Sequence, residues 1–408
     1  MIARKTRQPN PIQPLPYRNV SAPPTTATEL LVPLSIGVLK ETSAHEARVA
    51  LTPDVAVKLT ELGAAINMET GAAEHSHFPA ESYKGVQFHA SASAVLATST
   101  VLLTVQPPTL AAVDALAPGA VVVGFMQPHV QLDMVRRLRD RKITSFAVEL
   151  IPRISRAQSM DALSSQAAAA GYKAALLAAN ALDKFLPMLT TAAGTIRPAQ
   201  VLVIGAGVAG LQAIATSRRL GAIVEGYDVR AATKEQIQSL GAKFVDTGVA
   251  AEGTGGYARE LTAEEKAKQQ EILDRHIAKA DVVITTAAIP GRAAPRIISK
   301  QAVAAMSAGA VIVDLAAESG GNCELTVAGE TVVTPNGVKI LGPRNLPSEL
   351  GRHASQMYAR NLLNFLSPAI KGGALAIDWQ DEVFAQSVLT HDGQVRHAGT
   401  AKLLEAAR

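Results

Sequence analysis

The sequence predicts an α/β chain of two Rossmann-like, doubly wound parallel-sheet domains joined by long helices. Three observations carry this expectation. Short apolar runs punctuated by glycine alternate with helical stretches along most of the 408 residues, the pattern of parallel sheets with helices on both faces. Residues 201–230, VLVIGAGVAGLQAIATSRRLGAIVEGYDVR, set a Gly-rich turn between a strand and a helix and add a second strand. Two long helical stretches, Ala157–Leu186 and Pro347–Leu366, are suited to connecting two domains.

Taken in order, residues 1–34 form a basic, proline-rich leader with Arg4, Lys5, Arg7 and Arg18 and no acid before Glu29. It has no apolar core segment, so it does not read as a secretory signal, and it is expected to be a disordered leader. A strand is expected at Ser35–Leu39, then a loop gathering Lys40, Glu41, His45, Glu46 and Arg48, then a helix at Asp54–Leu62 stopped by Gly63. Further strands are expected at Thr98–Val105, Ala120–Phe125 and Thr144–Val148. The Ala- and Leu-rich stretch Ala157–Leu186 reads as one long helix closed by Pro187. Strands follow at Val201–Ile204, Ile223–Tyr227, Lys243–Val245, Val282–Thr285, Val311–Asp314 and Lys339–Leu341, enough for a complete dinucleotide fold. Thr247–Glu260, glycine-rich around Tyr257, reads as a mobile loop, and Leu261–Ala280 as a charged helix. The expected division is residues 35–163 with 350–395 as the outer domain, 164–349 as the nucleotide-binding domain, and 396–408 as a tail.

Composition narrows the function. Hydrophobic residues make up 48% of the chain, enough for two cores, while aromatics supply only 4%, so Ala, Val and Leu must fill them. The net charge of +4 is mild and no dense Lys/Arg face is visible, so no nucleic acid partner is expected. The one cysteine, Cys323, rules out an internal disulfide and fits a reducing compartment. It has no His or Cys at metal-ligand spacing, so neither a metal nor a nucleophile is assigned to it. No run of 18 or more apolar residues occurs that would read as a membrane-spanning helix.

The chemistry begins at Gly205-Ala206-Gly207-Val208-Ala209-Gly210, a G-x-G-x-x-G between strand and helix. Gly205 permits the tight turn, Gly207 lets backbone approach a pyrophosphate, and Gly210 lets the helix pack close to the strand. The helix start offers N–H groups and partial positive charge to phosphates. Asp228, ending the second strand, is placed to accept from ribose hydroxyls and to repel a 2′-phosphate. Val229 and Arg230 follow it, and Arg230 is able to pair with such a phosphate. NAD(H) is therefore the expected cofactor, with NADP(H) as the alternative.

Arg153, Gln158, Asp161 and Ser164 in RISRAQSMDALS offer donors and acceptors but no strong nucleophile. The last three, spaced by three, share one face of a helical turn. The set suits a nicotinamide carboxamide, with Gln and Ser on the amide and an Arg–Asp pair holding the geometry. The alternative is a polar helix start. Thr286, Ala287 and Ala288 follow a strand end, where small residues admit a ribose or nicotinamide ring. An ordinary strand-to-helix turn explains them equally well. Arg48 and Lys40 are able to bind a carboxylate, although a solvated loop charge is the commoner reading. His129, alone after a strand, is more often structural than catalytic.

These residues resemble the NAD(H)-binding subunits of proton-translocating NAD(P) transhydrogenases, within the alanine dehydrogenase/transhydrogenase family. The resemblance covers residues from about 35 to about 370 and rests on KETSAHEARVALTP, RISRAQSMDALSSQ, GAGVAG with YDVR, EGTGGYARE, ITTAAIPG and DLAAESGGNC. It implies that Arg153, Gln158, Asp161 and Ser164 position the dihydronicotinamide, with Tyr172 near that ring. It implies that Tyr257 lies on a loop closing over nucleotide and that Asp228 holds the adenosine ribose. It further implies a homodimer that docks on a membrane-spanning subunit and on a separate NADP(H)-binding subunit. Such a chain is cytoplasmic, peripheral on the inner face of the inner membrane through its partners, and hydride passes directly between nicotinamides. The rival within the family is alanine dehydrogenase, which uses a lysine and a histidine in the first-domain cleft. Here the corresponding stretch reads Leu103-Thr104-Val105-Gln106-Pro107, without the lysine, while His129 falls near the histidine. A non-enzymatic NAD sensor is a third reading. The leader and the polar tail from Lys371 depart from the family pattern, and the tail favours a form without membrane helices.

Overall fold

The computed structural model describes residues 33–230, 232–248, 262–288 and 291–407. The leader lies outside the described residues up to Val32, and so does most of the loop expected at Thr247–Glu260, with Tyr257. The first half contains β1 (Ser35–Val38), β2 (Ala65–Glu69), β3 (Val86–His89), β4 (Val101–Leu103), β5 (Val121–Gly124) and β6 (Thr144–Ala147). A hairpin of β7 (Leu189–Thr191) and β8 (Gly194–Ile196) follows. The second half contains β9 (Gln200–Ile204), β10 (Ile223–Tyr227), β11 (Lys243–Phe244), β12 (Val282–Thr285), β13 (Val311–Asp314), β14 (Thr331–Val333) and β15 (Lys339–Leu341). Last come a small hairpin, β16 (Ile370–Lys371) and β17 (Ala374–Leu375), and then β18 (Val388–His391) and β19 (Gln394–Val395).

The fold is the expected pair of doubly wound sheets. The parallel strands run β3-β2-β1-β4-β5-β6 in one sheet and β11-β10-β9-β12-β13-β15 in the other. In each, the winding reverses between the first and fourth strands, between β1 and β4 and between β9 and β12. Strands such as Val121–Gly124 and Val282–Thr285 are buried at every position, as near-continuous Val/Ile runs must be when helices cover both faces. Antiparallel strands finish one edge of each sheet, β18 beside β6 and β14 beside β15.

Two helices connect the halves. The connecting helix, Ala162–Ala181, is shorter than the expected Ala157–Leu186. Its start is set by Asp161, whose side chain accepts from the Ser164 N–H as an N-cap, after a 3₁₀ turn at Ser155–Met160. It ends well before Pro187, where Leu182 turns to extended backbone with ψ of 133°, and Lys184 just beyond pairs with Asp281 at 2.5 Å. The return helix, Gly351–Leu366, runs beside it. Ser165 Oγ donates to Asn361 at 2.7 Å and Gln166 Nε2 to the Ala354 carbonyl at 3.1 Å. Residues 396–408, expected as a tail, contain the helix Ala398–Ala406, whose Leu404 is buried with Met134, Val135 and Leu138. Among the described residues no helix is long and apolar enough to cross a membrane.

Candidate functional site

The glycine motif lies at the reversal point of the second sheet, between the ends of β9 and β12, where such folds place ligands. Gly205 has φ of +98°, a left-handed conformation that glycine adopts without strain. A Cβ at Gly210 would fall 1.8 Å from the Gly205 carbonyl oxygen, so only glycine lets the following helix sit this close. A Cβ at Gly207 would meet nothing within 4 Å, and Gly207 and Val208 are exposed. The helix Val208–Arg219 begins with no side-chain cap on its first N–H groups. Open backbone, free amides and the positive end of a helix dipole fit a pyrophosphate.

Asp228 organises this loop as well as facing it. Its side chain is buried and accepts the Ala206 N–H at 2.8 Å, tying the end of β10 to the motif. Arg230 donates to it from its backbone N–H and from both sides of its guanidinium, each at 2.9 Å. Burial pushes the Asp228 carboxyl up, but these bonds outweigh it and hold the group below the ordinary carboxylate range. Arg230 is thus committed to Asp228 and is not free for a 2′-phosphate. Val229 is half-buried behind them.

Across the crevice, Thr286 spends its hydroxyl on the Gly205 carbonyl at 3.1 Å and so joins the two loops. Ala287 and Ala288 follow, with Ala288 exposed. This turn is fixed by Asn322, which sequence reasoning does not single out. Its side chain accepts the Ala287 N–H at 3.1 Å and donates to the Ala287 carbonyl at 2.8 Å. Asn322 is itself held by buried Asp314, which accepts from the N–H groups of Asn322, Cys323 and Ala316 and the hydroxyls of Thr285 and Thr326. The DLAAESGGNC motif is the only sequence signal for it.

The residues expected to face a nicotinamide divide in two. Asp161 and Ser164 are bonded to each other, hydroxyl to carboxylate at 2.6 Å, at the start of the connecting helix. The expected Arg153–Asp161 pair does not form, because the Asp161 oxygens are occupied as the helix cap. Arg153 and Gln158 are exposed, with no side-chain hydrogen bond among the described residues. Tyr172, on the connecting helix two turns beyond Ser164, is 40% exposed.

The reading of Arg48 as a solvated charge is corrected. Arg48 is 5% exposed and bonds bidentately to Glu46, at 2.8 and 2.6 Å. Glu46 also accepts from Gln106 Nε2 at 2.7 Å, and Gln106 accepts from Gln127 Nε2 at 3.1 Å. Burial raises the Glu46 carboxyl, yet the Arg48 bonds prevail and bring it down to about 2. Neighbouring Glu41 is the opposite case. Burial and the nearby Glu46 charge push it up to about 7 against the pull of the Val105 N–H at 2.6 Å. His129 is exposed and its ring lies 6.1 Å from that of His397.

Glu41 carries a testable pH signature. Its folded pKa lies above the unfolded value of 4.5, so between pH 4.5 and about 7 the native state holds more protons. Stability contributed by this group therefore falls as pH rises through that window. Glu41→Gln is expected to flatten the decline in thermal midpoint between pH 5 and pH 8. Equal slopes for variant and wild type in scanning calorimetry would remove Glu41 as the cause.

Comparison with known proteins agrees with this geometry. The family profile described as "Alanine dehydrogenase/PNT, N-terminal domain" matches residues 37–170, and its C-terminal counterpart matches residues 174–398. The chain is 43% identical over 377 residues to a Rhodospirillum rubrum protein named as an NAD(P) transhydrogenase subunit alpha, covering 89% of this chain and 98% of that one. A Rickettsia prowazekii protein of the same name is 40% identical over 370 residues, covering 89% and 96%. The crystal structure of a transhydrogenase from Sinorhizobium meliloti superposes with a TM-score of 0.78 at 40% identity, over 90% of this chain and 99% of that one. An L-alanine dehydrogenase structure, at 22% identity and a TM-score of 0.76 over 92% and 100%, shares the fold.

Proposed function

The chain belongs to the alanine dehydrogenase/PNT family, and on that premise we propose that it is the NAD(H)-binding subunit of a proton-translocating, Re/Si-specific NAD(P) transhydrogenase. The observation that carries the reading is the polar loop at the head of the connecting helix. Arg153 and Gln158 are unengaged donors, and Asp161 and Ser164 are locked together beside them. Such a set orients an amide-bearing ring and does not move protons. When bound, NADH supplies the hydride. The residues of this chain hold the ring, exclude water and set its distance from the second nicotinamide, which is what direct transfer requires.

Within this reading, NADP(H) is held by a partner subunit and the proton path belongs to a membrane-spanning subunit. The chain is then cytoplasmic and peripheral on the inner face of the inner membrane. The division into residues 35–163 with 350–395 and residues 164–349 belongs to the same proposal. So does a homodimer, for which exposed Phe185, Met188 and Ile196 beside the β7–β8 hairpin supply apolar surface. Alanine dehydrogenase is the weaker reading. Where that enzyme needs a lysine, Gln106 stands bonded to Glu46 and Gln127.

Two assays decide between these readings. NADH fluorescence with the purified chain is expected to report binding, while pyruvate and ammonium produce no turnover. Supplying the NADP(H)-binding subunit with NADP⁺ is expected to start hydride transfer. Rapid pyruvate turnover would install alanine dehydrogenase, and binding without transfer in either assay would favour an NAD sensor. In the active assembly, Gln158→Asn is expected to slow transfer about tenfold or more while changing NADH affinity little. Equal losses of both would count against ring positioning.

A further inference from the structure

The Glu46–Arg48 pair lies on the loop after β1, yet its bonds reach three other regions of the chain. Arg48 Nη1 donates to Gln166 Oε1 at 2.8 Å, on the connecting helix two residues beyond Ser164. Arg48 Nη2 donates to Asn345 Oδ1 at 3.2 Å. Glu46 accepts from Asn345 Nδ2 at 2.9 Å and from Ser348 Oγ at 3.1 Å, both on the turn that leaves the nucleotide-binding half. It also accepts from Gln106 at the end of β4. The carboxylate is fully buried and the guanidinium is 4% exposed. Asn345 has φ of +44°, a left-handed conformation that Asn tolerates better than most residues.

We propose that Glu46 and Arg48 form a positioning clamp for hydride transfer, fixing the nicotinamide loop against the nucleotide-binding half through Gln166 on one side and Asn345 and Ser348 on the other. The proposal rests on the transhydrogenase reading. Neither residue needs to touch the cofactor. The guanidinium is planar with five fixed donors, so one side chain holds Glu46, Gln166 and Asn345 at once. A lysine ammonium keeps the charge but cannot reproduce that fork. The step the clamp serves is steep in distance, since a misplacement of about 1 Å costs about a hundredfold in rate.

The test compares Arg48→Lys and Gln166→Met with wild type in the complete enzyme, assembled with its NADP(H)-binding and membrane subunits. Transfer from NADH to thio-NADP⁺ and the Kd for NADH are measured on the same preparations. Arg48→Lys is expected to lower the transfer rate at least about tenfold while changing the Kd less than about threefold. Gln166→Met cuts only the link to the connecting helix and is expected to show the same split with a smaller rate loss. It carries the test if Arg48→Lys fails to fold. Rate and affinity falling in proportion, or an unchanged rate in Gln166→Met, would overturn the clamp. A wild-type assembly that transfers no hydride would instead overturn the transhydrogenase reading, and the clamp with it.

Discussion

Gly171→Ala is expected to destabilise the chain and to weaken NADH binding, although helix propensity alone favours alanine by about 1 kcal/mol. Gly171 lies in the middle of the connecting helix, Ala162–Ala181. A Cβ there would fall 2.0 Å from the Ala209 carbonyl oxygen and 2.9 Å from its Cα. Both are backbone atoms within the glycine motif, so no rotamer change relieves the clash. The two helices must separate, and the first turn that offers its amides to the phosphates moves with them. Overpacking of this kind costs about 1–3 kcal/mol, and more where backbone must yield. Scanning calorimetry is expected to show a lower thermal midpoint, and fluorescence titration an NADH affinity reduced about tenfold or more, which is about 1.4 kcal/mol. A variant that is more stable and binds normally would contradict this helix contact.

Asp228→Ala is expected to cause the other large loss. Both carboxylate oxygens are in use, one on the Ala206 N–H inside the glycine motif and both on Arg230. Alanine strands that N–H, at a cost of about 1–3 kcal/mol for a buried unsatisfied group. It also releases the Arg230 guanidinium, which then becomes available to a 2′-phosphate. Titrations at one ionic strength should show NADH affinity falling more than about tenfold, with the preference for NADH over NADPH narrowing. An unchanged preference would place the discrimination elsewhere in the site.

Legibility in the sequence follows the range of the interactions. The six expected strands of the second half each correspond to an observed strand, because apolar runs bounded by glycine are local signals. The G-x-G-x-x-G turn and Asp228 are readable for the same reason, since strand, turn, helix and strand are contiguous. The β7–β8 hairpin escapes because Thr190, Thr191 and Thr195 give it little apolar pattern. Arg48 reads wrongly as a solvated charge because Gln166 and Asn345 lie 118 and 297 residues away in sequence, and only the folded chain brings them together. Asn322 is invisible as a brace for Ala287, 35 residues earlier, for a similar reason. Asp161 is placed in the right region but with the wrong partner, because capping its own helix satisfies both oxygens locally.

The antiparallel strand β18 has a consequence for biosynthesis. It completes the sheet begun by β1, pairing with β6, and Thr390 bonds Ser145 across 245 residues of sequence. A ribosome releases the chain from the N-terminus, so β6 emerges long before the strand that covers its edge. The nucleotide-binding half, whose strands β9 to β15 lie within residues 200–341, has all its sheet partners available earlier. That half is therefore able to assemble first, while β6 waits with an unpaired ladder of N–H and C=O groups. An exposed strand edge is where nascent chains associate wrongly. Truncation before Val388 would make that transient hazard permanent.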